Sequence, residues 1–184
     1  SHTSLLSKYF GYEIKFDYSL IRPRGALITG GFKAPGHEGL QQCFERVERM
    51  YNDWIDENGG KKAEMKNIIL YDTFMHLSDA VLSGGVRRSA MDVIVDEDDE
   101  EMIYAKTGDW RQSTPWRERS NNSVGLKRND FTKKQFEDLV ALNEGISDIG
   151  FTLMSHEDEM FNPCFEIGFN FYEKIKNKTK AVFQ

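Results

Sequence analysis

The chain has 184 residues, enough for one domain with a buried core, and its 39% hydrophobic and 29% charged residues exclude a disordered or fibrous chain. Its 30 acidic against 24 basic residues give a net charge of −6, and no long run of Lys and Arg overrides it, so a polyanion-binding surface is excluded as the main function. Two distant cysteines, Cys43 and Cys164, without CxxC or Cys/His spacing, exclude a disulfide framework and a zinc site and suggest a reducing cytoplasm.

The N-terminus, Ser1-His2-Thr3-Ser4, has no charged leader before an apolar core, and no stretch approaches the ~20 apolar residues of a membrane span, so a soluble protein is expected. Glu13 to Tyr18 reads as a strand, followed by an irregular loop punctuated by Pro23, Gly25, Gly30, Gly31, Pro35 and Gly36. From Leu40 onward, Phe44, Val47, Tyr51 and Trp54 recur at helical spacing, and Asn58-Gly59-Gly60 supplies a stop. A second helix places Leu70, Phe74, Leu77 and Val81 on one face and halts at Gly84-Gly85. Cys43 and His76 fall on these two helices, where a packing or capping role is the ordinary one.

Met91, Val93 and Val95 alternate as in a strand, and the acidic run Asp96 to Glu101 reads as the solvated start of a short helix. The same carboxylates in a metal cluster are the competing reading. Ser120 to Lys127 is a further strand. Thr132 and Gln135 then form a capping box, Phe131 and Phe136 stand at the two staple positions, and Gly145 closes the helix. Ile149 to Met154 is a strand, and Ser155 to Ile167 a polar loop. The order β, αα, β, α, β, α, β predicts an α/β protein with a mostly parallel sheet covered by helices.

Chemistry concentrates in Asn162-Pro163-Cys164-Phe165-Glu166. In extended backbone, residues i−2, i and i+2 share a face, so an amide, a thiol and a carboxylate can meet one small molecule. In such a site the sulfur would attack, the carboxylate would take a proton and the amide would hold a hydroxyl.

Asn162 to Ile167 resembles the Asn-Pro-Cys-x-Glu-Ile finger loop of ribonucleotide reductase catalytic subunits, and three further blocks resemble that family in the same order. Phe16-Asp17-Tyr18-Ser19 with Ile21-Arg22-Pro23-Arg24-Gly25-Ala26 and Gly30-Gly31 resembles the strand and first specificity loop, about 22–36. Ser83-Gly84-Gly85-Val86-Arg87-Arg88-Ser89-Ala90 resembles the second specificity loop, about 83–90, and Ser120-Asn121-Asn122-Ser123-Val124 the polar strand that follows it. The resemblance implies a partial ten-stranded α/β barrel, of which residues 1–184 form a single segment, with the finger loop of about 155–168 threaded through its centre.

By the same resemblance Cys164 would carry the thiyl radical that takes the substrate's 3′-hydrogen, Glu166 would accept the 3′-hydroxyl proton, and Asn162 would hold the ribose hydroxyls. Gly84, Gly85, Arg87, Arg88 and Ser89, with Gly30, Gly31, Lys33 and Asn122, would contact substrate and a deoxynucleotide effector. The Asn-Pro-Cys form and the Gly-Gly-Val-Arg-Arg-Ser-Ala loop resemble the adenosylcobalamin-dependent class more than the class that uses a separate metal subunit. A radical from a separate metal-containing subunit is the alternative.

The chain departs from the family in lacking the reducing cysteine pair: Cys43 does not match the first of them, and no cysteine follows Cys164. Phosphate loops near the C-terminus are also absent, and Phe165 is bulkier than the family's usual residue there. These departures imply a piece, natural or excised, that acts with complementary N- and C-terminal polypeptides or self-associates. An inactive nucleotide-binding or assembly fragment is the second reading, and an unrelated α/β protein the third.

Overall fold

Helix α2 (Glu38–Glu57) shows how the sequence builds the first part of the molecule. Its stripe of Cys43, Phe44, Val47 and Tyr51 is buried as the helical spacing predicts, and Asn58 ends the helix by donating its Nδ2 to the Trp54 carbonyl at 2.7 Å. The computed structural model describes residues 2–61, 63–80, 91–127, 129–143, 147–155 and 159, with the backbone of 169–175 and 178–183. The chain divides into two compact units, residues 1–89 with 111–119, and residues 90–110 with 120–184.

In the first unit α1 (His2–Ser7) and α3 (Asn67–Ala80) pack against α2. The core holds Leu5, Cys43, Phe44, Val47, Tyr51 and Ile69, with Phe16 and Leu77 at its margin. Leu5 and Val47 are fully buried, each stabilising by about 1.5–3 kcal/mol. Buried hydroxyls are matched to partners: Thr73 donates to Tyr51 Oη at 3.1 Å, and His2 Nε2 lies 2.9 Å from the same oxygen.

Two sequence expectations fail in this unit. Glu13–Tyr18 forms no strand ladder; it is anchored through side chains, Phe16 packing on Phe44 with ring centroids 4.6 Å apart and Tyr18 stacking on His37 at 5.6 Å. On α3, Leu70 and Phe74 are exposed while Ile69, Tyr71, Asp72, Thr73, Met75, His76 and Ser78 are buried. Apolar residues surround this helix, so periodicity leaves its buried face undetermined. The inward face is set by α2 and by the turn Pro115–Arg119, whose Arg117 grips Asp72 with Nε at 2.8 Å and Nη2 at 2.7 Å.

The second unit is built on a parallel sheet in the order β1 (Met91–Asp96), β2 (Ser120–Lys127), β3 (Gly150–Met154). Met91 aligns with Ser120, and Ser123 with Gly150. Parallel neighbours need crossovers. The first runs through α4 (Glu100–Ile103) and α5 (Trp110–Ser113), and the second through α6 (Lys133–Leu142). The acidic run starts α4 as expected, Asp99 capping it by accepting the Met102 N–H at 3.1 Å. Thr132 and Gln135 form the expected reciprocal capping box on α6. Phe136 packs edge-on against Phe151 of β3, centroids 5.0 Å apart.

The fold is thus mixed α/β with a small parallel sheet. A further antiparallel pair, β4 (Phe169–Ile175) and β5 (Lys178–Phe183), follows in a stretch where no element is expected from the sequence. No helix among the described residues is long and apolar enough to cross a membrane.

Candidate functional site

The first specificity-loop candidate folds as a tight hairpin-like turn. Leu27 and Lys33 form an antiparallel bridge, Ala34 N–H donates to Ala26 O at 2.7 Å, and Gly25 N–H to Ala34 O at 2.9 Å. Gly30 and Gly31 take φ of 88° and 77° at the tip, the left-handed conformation that favours glycine. Lys33 projects into solvent.

At the base of this loop lies a cavity of about 290 Å³. Arg24 and Gly36 form its loop wall, Cys43 and Arg46 the α2 wall, and His76 and Asp79 the wall from the end of α3. A Cβ at Gly36, whose φ is 84°, would collide with the Glu38 carboxylate and press on Arg24. Arg46 Nη1 lies 3.7 Å and Arg119 Nε 2.6 Å from Asp79 carboxylate oxygens. Gly84, Gly85, Arg87, Arg88 and Ser89, which follow α3 in sequence, lie outside the described residues.

Register sorts the sheet into two faces of different chemistry. Val95, Val124 and Leu126 share the face covered by Ile103 of α4 and Leu139 of α6, around a pocket of about 180 Å³. Asn122 is on this face, 4% exposed, its Oδ1 accepting the Ser120 hydroxyl at 2.6 Å. The opposite face carries Asp92, Asn121, Ser123 and Thr152 together with Ile94, and Met154 is laid across Gly125. Of the neighbouring amides, Asn121 rather than Asn122 therefore stands on the polar face.

Two further residues, Asp92 and Lys106, stand out by their burial. Asp92 carries a buried Oδ1 with no hydrogen-bond partner among the described residues, and burial pushes its carboxyl up to about 6, partly opposed by the Val93 backbone N–H. Lys106 is 1% exposed; its Nζ donates to Ser120 O at 2.7 Å, meets Asp148 Oδ2 at 2.6 Å and lies 4.8 Å from the Trp110 ring centroid. A carboxylate inside an apolar alternation was the available signal for Asp92. Lys106 had none, because its carboxylate partner lies far along the chain.

No family model matches the chain, and no curated protein or solved structure matches it.

The finger-loop candidates Asn162, Cys164 and Glu166 also lie outside the described residues. Cys43 is buried, and that burial pushes its thiol up to about 11, so it stays protonated and unreactive at neutral pH. Among the described residues no three His, Cys, Asp or Glu side chains gather as a metal site requires.

Proposed function

We propose that this chain is part of a ribonucleotide reductase, converting ribonucleotides to deoxyribonucleotides once complementary polypeptides complete its barrel. The observation that carries the reading is the signature Asn162-Pro163-Cys164-Phe165-Glu166-Ile167, preceded in family order by the Gly30-Gly31 loop, the Gly84-Gly85-Val86-Arg87-Arg88 loop and the Asn121-Asn122 strand. A parallel sheet with one face under helices and polar residues on the other supports it in kind, since a barrel that turns over a sugar needs polar groups on its inner wall.

In this reading a thiyl radical on Cys164 takes the 3′-hydrogen atom, leaving a thiol and a carbon radical. Glu166 accepts the 3′-hydroxyl proton as the 2′-hydroxyl leaves with a proton as water, and Asn162 holds the ribose in position. Two electrons and the returning protons come from a dithiol on a complementary polypeptide, which becomes a disulfide. Adenosylcobalamin, or a separate metal-containing subunit, would supply the radical to the completed assembly. Neither the 290 Å³ cavity nor the 180 Å³ pocket has room for a corrin, so no step is assigned to residues of this chain through it. The reading places the protein in the cytoplasm.

The test is reconstitution with N- and C-terminal reductase polypeptides, scored by deoxyribonucleotide formation. Turnover appears only in the full mixture and disappears with Cys164→Ala; turnover that survives this substitution ends the reading. A second reading, nucleotide binding without catalysis, is favoured by the cavity beneath the first loop. Deoxynucleotide titration tests it: binding that Arg87→Ala weakens, without turnover in the reconstituted mixture, selects it.

A further inference from the structure

The first unit holds a second cavity, of about 450 Å³, between α2, α3 and the Pro115–Arg119 turn. Its floor is apolar: Met50 and Trp54 of α2 face Ile69 of α3. One wall is aromatic, the His76 ring lying 4.8 Å from that of Trp116. Asp72 also lines it, but its carboxylate is occupied, receiving the Trp116 indole N–H at 2.8 Å and two N–H groups of Arg117. Two features of this cavity are unexplained by the packing of the unit itself.

His76 is 5% exposed, yet its Nδ1 has no hydrogen-bond partner among the described residues. Leaving a buried polar atom unpaired costs roughly 1–3 kcal/mol. Burial lowers the imidazole pKa, outweighing the carboxylates of Asp72 and Asp79, so the ring is held neutral and one nitrogen remains an acceptor.

The second feature is the order of charges along α2. Arg46 and Arg49 line one end of the cavity, and Asp53 and Glu57 the other. Arg49, Asp53 and Glu57 are exposed, and none makes an ion pair among the described residues. This order runs against the helix dipole, which disfavours carboxylates near the C-terminus, and α2 has no basic residue in its last turn. The dipole therefore does not favour this order, whereas an occupant with a cation at the acidic end would.

We propose that this cleft binds a short zwitterionic peptide: its carboxylate at the Arg46–Arg49 end, its ammonium at the Asp53–Glu57 end, and apolar side chains on Met50, Trp54 and Ile69. Length supports a dipeptide, since Arg49 and Asp53 are separated by about 6 Å of helix rise and two extended residues span at most about 7 Å. The peptide N–H supplies the hydrogen bond that His76 Nδ1 lacks. This inference does not depend on the reductase reading.

Two of the three tryptophans, Trp54 and Trp116, line the cleft, so intrinsic fluorescence of the whole chain reports occupancy. The probe is Leu-Leu with free termini, compared with its N-acetyl and C-amide forms. Saturable binding is expected, weakened about tenfold by either cap. Arg49→Ala, at an exposed position with no ion pair among the described residues, leaves far-UV circular dichroism unchanged and narrows the difference between the acid and the amide. His76→Phe keeps a ring against Trp116 and weakens all three ligands. Absence of saturation, or equal binding of the capped and free forms to the parent chain, overturns the proposal.

Discussion

A lysine as buried as Lys106 is stable only where its charge is matched, and the Ser120 carbonyl, Asp148 and the Trp110 ring do this together. The two ends of the ion pair are unequal, because Asp148 is about half exposed while the ammonium is 1% exposed. Asp148→Ala leaves a buried cation short of its counterion and is expected to cost about 3–5 kcal/mol. Lys106→Met leaves a carboxylate that water can reach and is expected to cost less, about 1–3 kcal/mol. Urea unfolding of the two variants gives the order; Lys106→Met as the more damaging change would refute this account. Asp92 works in the opposite sense. Its folded-state value near 6 is raised above the unfolded value of about 3.9, so the folded state binds the proton more tightly, and stability from this group increases as pH falls from about 7 to about 4. Asp92→Asn should stabilise the chain by about 1 kcal/mol at pH 7.5, after allowance for partial exposure, and the gain should vanish below about pH 4. Thermal melts across that range check both parts.

At the scale of the element, legibility followed the range of the determining interactions. The start of α6 is written within four residues, Thr132 accepting the Gln135 N–H and Gln135 returning to the Thr132 backbone, so the spacing alone identifies it. Thr132→Ala should therefore cost about 1 kcal/mol, seen as a lower urea midpoint with an unchanged slope. The buried stripe of α2 was legible for the same reason: its other face is polar, so only one face can turn inward. The sequence of α3 offers no such contrast, and the choice of Ile69, Met75 and His76 over Leu70 and Phe74 depends on α2 and on Arg117, 45 residues from Asp72. Glu13–Tyr18 has the composition of a strand, but its aromatic residues are taken up by Phe44 and His37 instead of a ladder. Of the candidate site, the glycine turn and the polar strand were legible; which of Asn121 and Asn122 faces the polar side follows only from the register with β1.

For the whole molecule, the consequence lies in the sheet. Among the described strands β1 and β3 each pair on one side only, and a parallel sheet of this kind is ordinarily extended and covered. The two units also leave apolar side chains in water, Leu70 and Phe74 in the first and Phe136 and Phe151 in the second. If the chain is one segment of a reductase barrel, complementary polypeptides supply the missing neighbours of β1 and β3, and these backbone groups gain partners on assembly. Alone, the chain should then self-associate with rising concentration in sedimentation velocity. With its complementary polypeptides it should form one defined species, in which edge amides of β1 and β3 exchange at least about tenfold more slowly with deuterium. A chain that stays monomeric at high concentration, and whose edge amides exchange no more slowly when those polypeptides are added, does not use these edges for a barrel, and the segment reading would then lose its physical basis.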